Sequence, residues 1–206
     1  MSAGAAPKLT FWFEFASTYS YLSAARIEAL AGAAGVAVDW QPFLLGPIFH
    51  AQDWSTSPFN LFEAKGRNMW RDMERQVEKL GLPPLTRPEP FPQNGLLAAR
   101  VATLGRGTAW GPAFVQTVYA AQYAEGQQIS APETIVACLD QLGQDGAALV
   151  AQAGSDQVVK DALKDATAEA VRLGIYGAPS FTTADGELFW GNDRLEDALA
   201  WAVAKG

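Results

Sequence analysis

Ser17, Thr18, Tyr19 and Ser20 stand where a strand-like run, "LTFWFEF", passes into a helix-like run, "YSYLSAARIEAL". A helix start offers unpaired N–H groups and the positive end of the helix dipole, which suits an anion such as a thiolate. Two cysteines in these four positions would make a dithiol redox centre, but none is present. Redox chemistry by the chain's own cysteines is thereby excluded at this turn. A serine hydroxyl can instead donate one hydrogen bond to a thiolate that arrives from outside. Lowering a thiol pKa by ~2 from about 8.5 requires only ~2.7 kcal/mol of differential stabilisation. The plainer alternative is that Ser17 is only the N-cap of the helix.

The other reactive side chains are few. Cys138 is the single cysteine and lies in "ETIVACLDQL" on the apolar face of a helix, the position of a buried structural thiol. One cysteine and one histidine cannot build a His/Cys metal site, so no metal is expected. The histidine, His50 in "GPIFHAQD", could contact a substrate carboxylate or shuttle a proton; otherwise it is an exposed loop residue.

The elements that must position these groups can be read from pattern. With 206 residues and 49% apolar content the chain can bury a sizeable core. Its formal charge of -7 argues against nucleic acid or an anionic membrane as partner. Apolar stretches such as "GVAVDWQPFLLGPIF" are broken well short of the ~18 residues a membrane span needs. The start, "MSAGAAPKLTFW", lacks the apolar core of a secretory signal and reads as a short disordered lead-in to a cytoplasmic protein.

Aromatic-rich "LTFWFEF" (9 to 15) predicts a largely buried strand. Ser17 then caps a helix carrying Tyr21, Leu22, Ala25, Ala29 and Leu30 on one face, and "GVAVDWQPFL" (35 to 44) predicts a second strand ended or edged by Pro42. From 45 to 173 the pattern is helical, with most runs stopping at glycine and a proline-rich loop from Pro83 to Pro92. "SFTTA" and "ELFWG" flank Asp185-Gly186, a strong hairpin signal. "NDRLEDALAWAVAKG" closes the chain as a helix with Asn192 as candidate N-cap and Leu195, Ala198, Leu199 and Val203 along one face.

This β-α-β, helical, β-β-α order resembles an α/β thioredoxin-like fold, residues 9–44 and 174–206, with an all-helical domain, 45–173, inserted between its halves. The resemblance implies that Pro179 in "GAPSF" opens the third strand in cis, facing the Ser17 turn, with the Ala178 main chain presented to the site.

"FASTYSYL", "NGLLAARVATLG", "GIYGAPSF" and "ELFWGNDRL", in this order, resemble the 2-hydroxychromene-2-carboxylate isomerases and the related kappa-class glutathione transferases, over residues 9 to 203. That resemblance implies a DsbA-like thioredoxin fold, a glutathione cofactor and a homodimer. Ser17 then activates the glutathione sulfur, and Ala178 and Pro179 meet its cysteinyl part. Asn192 and Asp193 hold the γ-glutamyl end, and Lys65 reaches the glycyl carboxylate. The departures are Thr18 where the family has proline, Thr56 and Glu63 where it has asparagine and proline, and His50 where it has lysine.

The implied reaction is glutathione-dependent interconversion of 2-hydroxychromene-2-carboxylate and trans-o-hydroxybenzylidenepyruvate in aromatic hydrocarbon catabolism. The small aromatic substrate would draw on Phe15, Tyr19, Tyr21, Trp54 and Trp70. A kappa-like glutathione transferase acting on other electrophiles and a non-catalytic glutathione-binding protein are the alternatives.

Overall fold

The computed structural model describes residues 6–206; the first five residues of the lead-in lie outside them. Strand β1 (Lys8–Phe13) runs parallel to β2 (Ala37–Pro42) and antiparallel to β3 (Ser180–Thr183). Strand β4 (Leu188–Trp190) joins β3 through the Asp185-Gly186 turn, where Gly186 takes a φ of 88° that favours glycine. The sheet order is β2-β1-β3-β4. Helix α1 (Thr18–Ala34) makes the crossover from β1 to β2 and stops at Gly35, whose φ of 68° closes the helix. Pro42 ends edge strand β2, since it has no N–H to continue a ladder.

Pleating sends alternate residues of β1 to opposite faces. Leu9, Phe11 and Phe13 join the main core with Leu22 and Ile27 of α1 and Leu195, Ala198 and Leu199 from the last helix. Phe11 stacks on Phe181 across the β1–β3 pair, ring centroids 5.5 Å apart. On the other face Trp12 packs with Phe43, Ile48, Ala170 and Ile175, and its indole N–H donates to Thr182 Oγ1 at 2.9 Å.

Between β2 and β3 lie α2 (Leu45–His50), α3 (Pro58–Leu61), α4 (Glu63–Lys79), α5 (Leu96–Gly105), α6 (Gly111–Tyr123), α7 (Pro132–Asp140), α8 (Gly146–Ser155) and α9 (Gln157–Arg172). Residues of α4 to α9 share the main core with the sheet. The run "FNLFEAKGRNMW" bends at Phe62 between α3 and α4 instead of forming one helix. Gly66 allows that corner, because a Cβ there would stand 2.3 Å from the Phe59 carbonyl oxygen. Among the described residues no helix is long and apolar enough to cross a membrane.

The chain's end departs from expectation in two respects. Asn192 does not cap a helix with its side chain; Asn192–Arg194 forms a 3-10 turn, and α10 (Leu195–Lys205) follows it. Ala202 rather than Val203 completes the buried stripe, because seven residues return the helix almost to the azimuth of Leu195 while eight overshoot by about 80°. Val203 is accordingly half-exposed.

Candidate active site

Strand β1 ends at Phe13, two residues before the expected end, and residues 14 to 17 form a turn held from below by α6. The Tyr119 hydroxyl donates to Glu14 O at 2.9 Å and the Tyr123 hydroxyl to Ala16 O at 3.0 Å, both from buried rings. The Ser17 N–H closes the turn on Glu14 O at 2.9 Å. Ser17 is the N-cap of α1, its Oγ accepting from the Ser20 N–H at 3.2 Å. The same oxygen donates its proton to Ala178 O at 2.7 Å. The Ala178–Pro179 peptide is cis, and Ser180 then enters β3. Turn and cis peptide thus face each other directly.

They form one side of a cavity of about 740 Å³. Leu44 to Pro47, Phe49, Gln52 and Trp54 to Phe59 line a second side, and Pro92 to Leu96 a third. Tyr19, Lys65, Tyr176 and Trp190 complete the wall. Tyr176 and Trp190, each half-exposed, lie 4.8 Å apart at their ring centroids. Gly177 permits this arrangement: a Cβ there would come 2.4 Å from the Trp190 Nε1. Gln93 is buried and anchors the third side, accepting from the Ile129 N–H at 2.7 Å.

Tyr19 turns its hydroxyl to Asp72 of α4 at 3.0 Å. Burial, that bond and the Asp72 charge raise its pKa above the usual phenol range, so it is a hydrogen-bonding group and not an anion at neutral pH. The exposed Lys65 places its Nζ 4.6 Å from the Phe62 ring centroid and pairs with no carboxylate among the described residues. It is the cation available at the wall for a ligand carboxylate.

Asn192 and Asp193 lie outside the lining. Asn192 Oδ1 accepts from Ser23 Oγ at 3.0 Å and from Arg26 Nε at 3.1 Å, tying the final helical turn to α1. Asp193 is exposed and pairs with Arg194 at 3.0 Å, yet its charge contributes to the raised Tyr19 pKa. These residues flank the α1 end of the site. His50 is not brought to the cavity. It is the exposed last residue of α2, whose Leu45 and Ile48 turn inward and leave His50 on the opposite side. Phe49 and Gln52 line the wall in its place.

Of the aromatic residues expected at a substrate pocket, Tyr19 and Trp54 line the cavity. Phe15 and Tyr21 belong to the core, and Trp70 packs edge-on against Phe91 at 4.8 Å. Thr18 also faces away, 1% exposed with its hydroxyl unpartnered among the described residues, whereas Thr56 does line the cavity. Glu63 is exposed and pairs with Arg67. Cys138 is buried, and burial together with the Glu125 charge pushes its thiol up to about 11. Among the described residues no three His, Cys, Asp or Glu converge as metal ligands.

Glu14 had no place in the sequence-based site. It lines the cavity, is 9% exposed and accepts the Ala16 N–H on Oε2 at 3.1 Å. Burial raises its carboxyl to about 7 against the opposing pull of that N–H. The signal was a single carboxylate inside the aromatic run "TFWFEF". Nothing in the local sequence marks Tyr176 or Trp190 as wall residues.

The DSBA-like thioredoxin domain pattern matches residues 8–200. The chain is 29% identical over 193 residues to 2-hydroxychromene-2-carboxylate isomerase of Sphingobium xenophagum, covering 91% of this chain and 94% of that protein. A solved structure of a 2-hydroxychromene-2-carboxylate isomerase superposes with a TM-score of 0.84 at 24% identity, covering 96% of this chain and 95% of the other. The cytosolic disulfide reductase DsbM from Pseudomonas aeruginosa, solved with GSH, shares the fold at a TM-score of 0.63 and 15% identity, with 96% of each chain covered. With the domain pattern spanning nearly its whole length, the chain belongs to the family of DSBA-like thioredoxin domains and within it is similar to 2-hydroxychromene-2-carboxylate isomerase.

Proposed function

We propose that this chain is a glutathione-dependent isomerase that interconverts 2-hydroxychromene-2-carboxylate and trans-o-hydroxybenzylidenepyruvate. The observation that carries the reading is Ser17: a hydroxyl at the start of a long helix, 2.7 Å from the carbonyl of a cis Ala178–Pro179 peptide, on the wall of a large cavity. At about 740 Å³ that cavity lies within the ~300–1,000 Å³ common for small-molecule sites. The named relative supports the reaction class.

The residues present fit glutathione. The α1 N–H groups and Ser17 suit its sulfur as an anion, the Ala178 main chain suits its peptide, and Lys65 suits a carboxylate. When bound, glutathione supplies a nucleophilic thiolate that adds reversibly to the conjugated substrate and permits rotation about the former double bond. The chain's part is to hold the sulfur and the substrate in register. Ser17 has one proton to donate, now given to Ala178 O, so its hydroxyl must rotate to meet the sulfur. Tyr176, Trp190, Trp54 and Phe59 offer aromatic surface to the substrate ring. Catabolism of aromatic hydrocarbons, a cytoplasmic setting and a homodimer are parts of the same reading.

The test mixes pure protein with 2-hydroxychromene-2-carboxylate, with and without glutathione, and follows absorbance. Glutathione-dependent conversion is expected. An unchanged spectrum removes the isomerase reading. Accumulation of a stable glutathione conjugate in place of the isomer indicates a transferase acting through the same Ser17.

A further inference from the structure

Ionising a thiol leaves a proton to be placed, and Ser17 cannot keep it. A serine hydroxyl donates a hydrogen bond to a thiolate, but it is too weak a base to hold an extra proton at neutral pH. No histidine assists it, since His50 lies outside the cavity. Among the described residues of the wall, Glu14 is the one carboxyl group.

Its geometry suits proton transfer. Glu14 is fixed three residues before Ser17 by the turn that the Ser17 N–H closes on Glu14 O. Oε2 is occupied by the Ala16 N–H, while Oε1 has no hydrogen-bond partner among the described residues. Gly95 leaves space beside it: a Cβ there would stand 3.5 Å from Oε1 and 2.9 Å from the Phe15 Cβ. The groups packed behind Glu14 are the phenols Tyr119 and Tyr123 of α6, both raised well above the usual phenol range and therefore neutral. Tyr19 and Lys65 share the wall. No cation is among the causes of the Glu14 shift, so burial alone raises this carboxyl to the pH at which it can both take and return a proton.

We propose that Glu14 carries the proton of the reaction between the incoming thiol and the substrate oxygen. The inference rests on the isomerase reading above. Glu14 as carboxylate takes the thiol proton on Oε1, and the S–H electron pair remains on sulfur. That pair forms a C–S bond at the β-carbon of the conjugated ketone. The alkene pair moves to join the α-carbon to the carbonyl carbon, and the carbonyl pair moves onto oxygen, which takes the proton from Oε1 to give an enol. The former double bond, now single, rotates. The enol then returns its proton to Oε1, the alkene reforms, and sulfur leaves with its pair. The departing thiolate takes the proton back from Oε1, so Glu14 returns to the carboxylate, the thiol is restored, and nothing is oxidised or reduced.

Glu14→Gln tests this, because the amide oxygen still accepts the Ala16 N–H while the proton relay is lost. The expected result is a kcat lower by ~10²-fold or more and loss of the acid limb of the pH–rate profile near neutrality. The Kd for glutathione should change less than threefold. Calorimetry of glutathione binding at pH 7, in two buffers of different ionisation enthalpy, should show close to one proton released per site in Glu14→Gln and clearly less in the wild type, because the thiolate charge beside the Glu14 carboxyl favours its protonated form. A Glu14→Gln protein with wild-type kcat, pH profile and proton count overturns the proposal. Should that variant fail to fold by circular dichroism, the wild-type proton count decides alone: one proton released to buffer on binding overturns it. If the wild type leaves 2-hydroxychromene-2-carboxylate unchanged, the isomerase reading falls, and the proton count still reports whether Glu14 accepts the thiol proton.

Discussion

The Ser17 hydroxyl and the Ala178 carbonyl meet at 2.7 Å across 161 positions of sequence. This bond joins the turn after β1 to the cis peptide before β3, so the two halves of the sheet structure close on one point of the cavity. It also occupies the proton that a bound thiolate would need, which makes Ser17 a donor held ready by a carbonyl it can release.

Replacing Ser17 by Ala separates its two roles. Loss of the cap to the Ser20 N–H should lower stability by about 1 kcal/mol in a urea melt. Loss of the donor should lower the glutathione-dependent rate by ~10²-fold. A variant that is destabilised but fully active would reduce Ser17 to a cap.

Glu14 predicts a fall in stability as pH rises. Its carboxyl ordinarily titrates at 4.5 and in the folded chain at about 7. Between those values the folded state binds more protons than the unfolded one, so folding weakens with increasing pH. The shift corresponds to about 3 kcal/mol lost by pH 8 relative to pH 4. Urea melts at a series of pH values should show this slope in the wild type and a flatter one in Glu14→Gln.

Lys65→Met should weaken glutathione by about two- to fivefold, as expected when one exposed ion pair is removed. The loss should shrink when calorimetry is repeated at high salt, because an exposed pair is screened. An unchanged Kd would mean that the Lys65 ammonium meets solvent and not the ligand.

Gly177→Ala should disturb the aromatic wall without touching the sulfur site. The new Cβ would meet Trp190 Nε1 at 2.4 Å and force the indole off Tyr176. The substrate KM is expected to rise roughly two- to tenfold, the range of one lost aromatic contact, with the glutathione Kd unchanged.

Asn192→Ala removes the acceptor for Ser23 and Arg26 and should cost about 1–2 kcal/mol of stability. Asp193→Ala, at an exposed residue, should leave the melt unchanged. A rise in glutathione Kd in Asp193→Ala would tie that carboxylate to the γ-glutamyl end.

What could be read without coordinates was local. The Ser17 cap, the Asp185-Gly186 hairpin and the helical runs each follow from residues within a few positions of one another. Tertiary contacts set the exceptions: Asn192 is drawn into bonds from α1 rather than capping its own helix, and the α3–α4 corner turns on the approach of Gly66 to Phe59. His50 points outward because the buried stripe of its short helix, Leu45 and Ile48, sets the helix's rotation.

The sequence by itself determined that no cysteine of this chain can serve as a thiol at the first turn, and that a serine stands there at a helix start. These are matters of residue identity and neighbouring spacing. Only the tertiary structure decided which carboxyl would share the cavity wall with that serine. Packing of Phe15, Gly95, Tyr119 and Tyr123 around the turn deprives Glu14 of water and of any counter-charge, and desolvation is a property of the surroundings that no position in the chain carries alone.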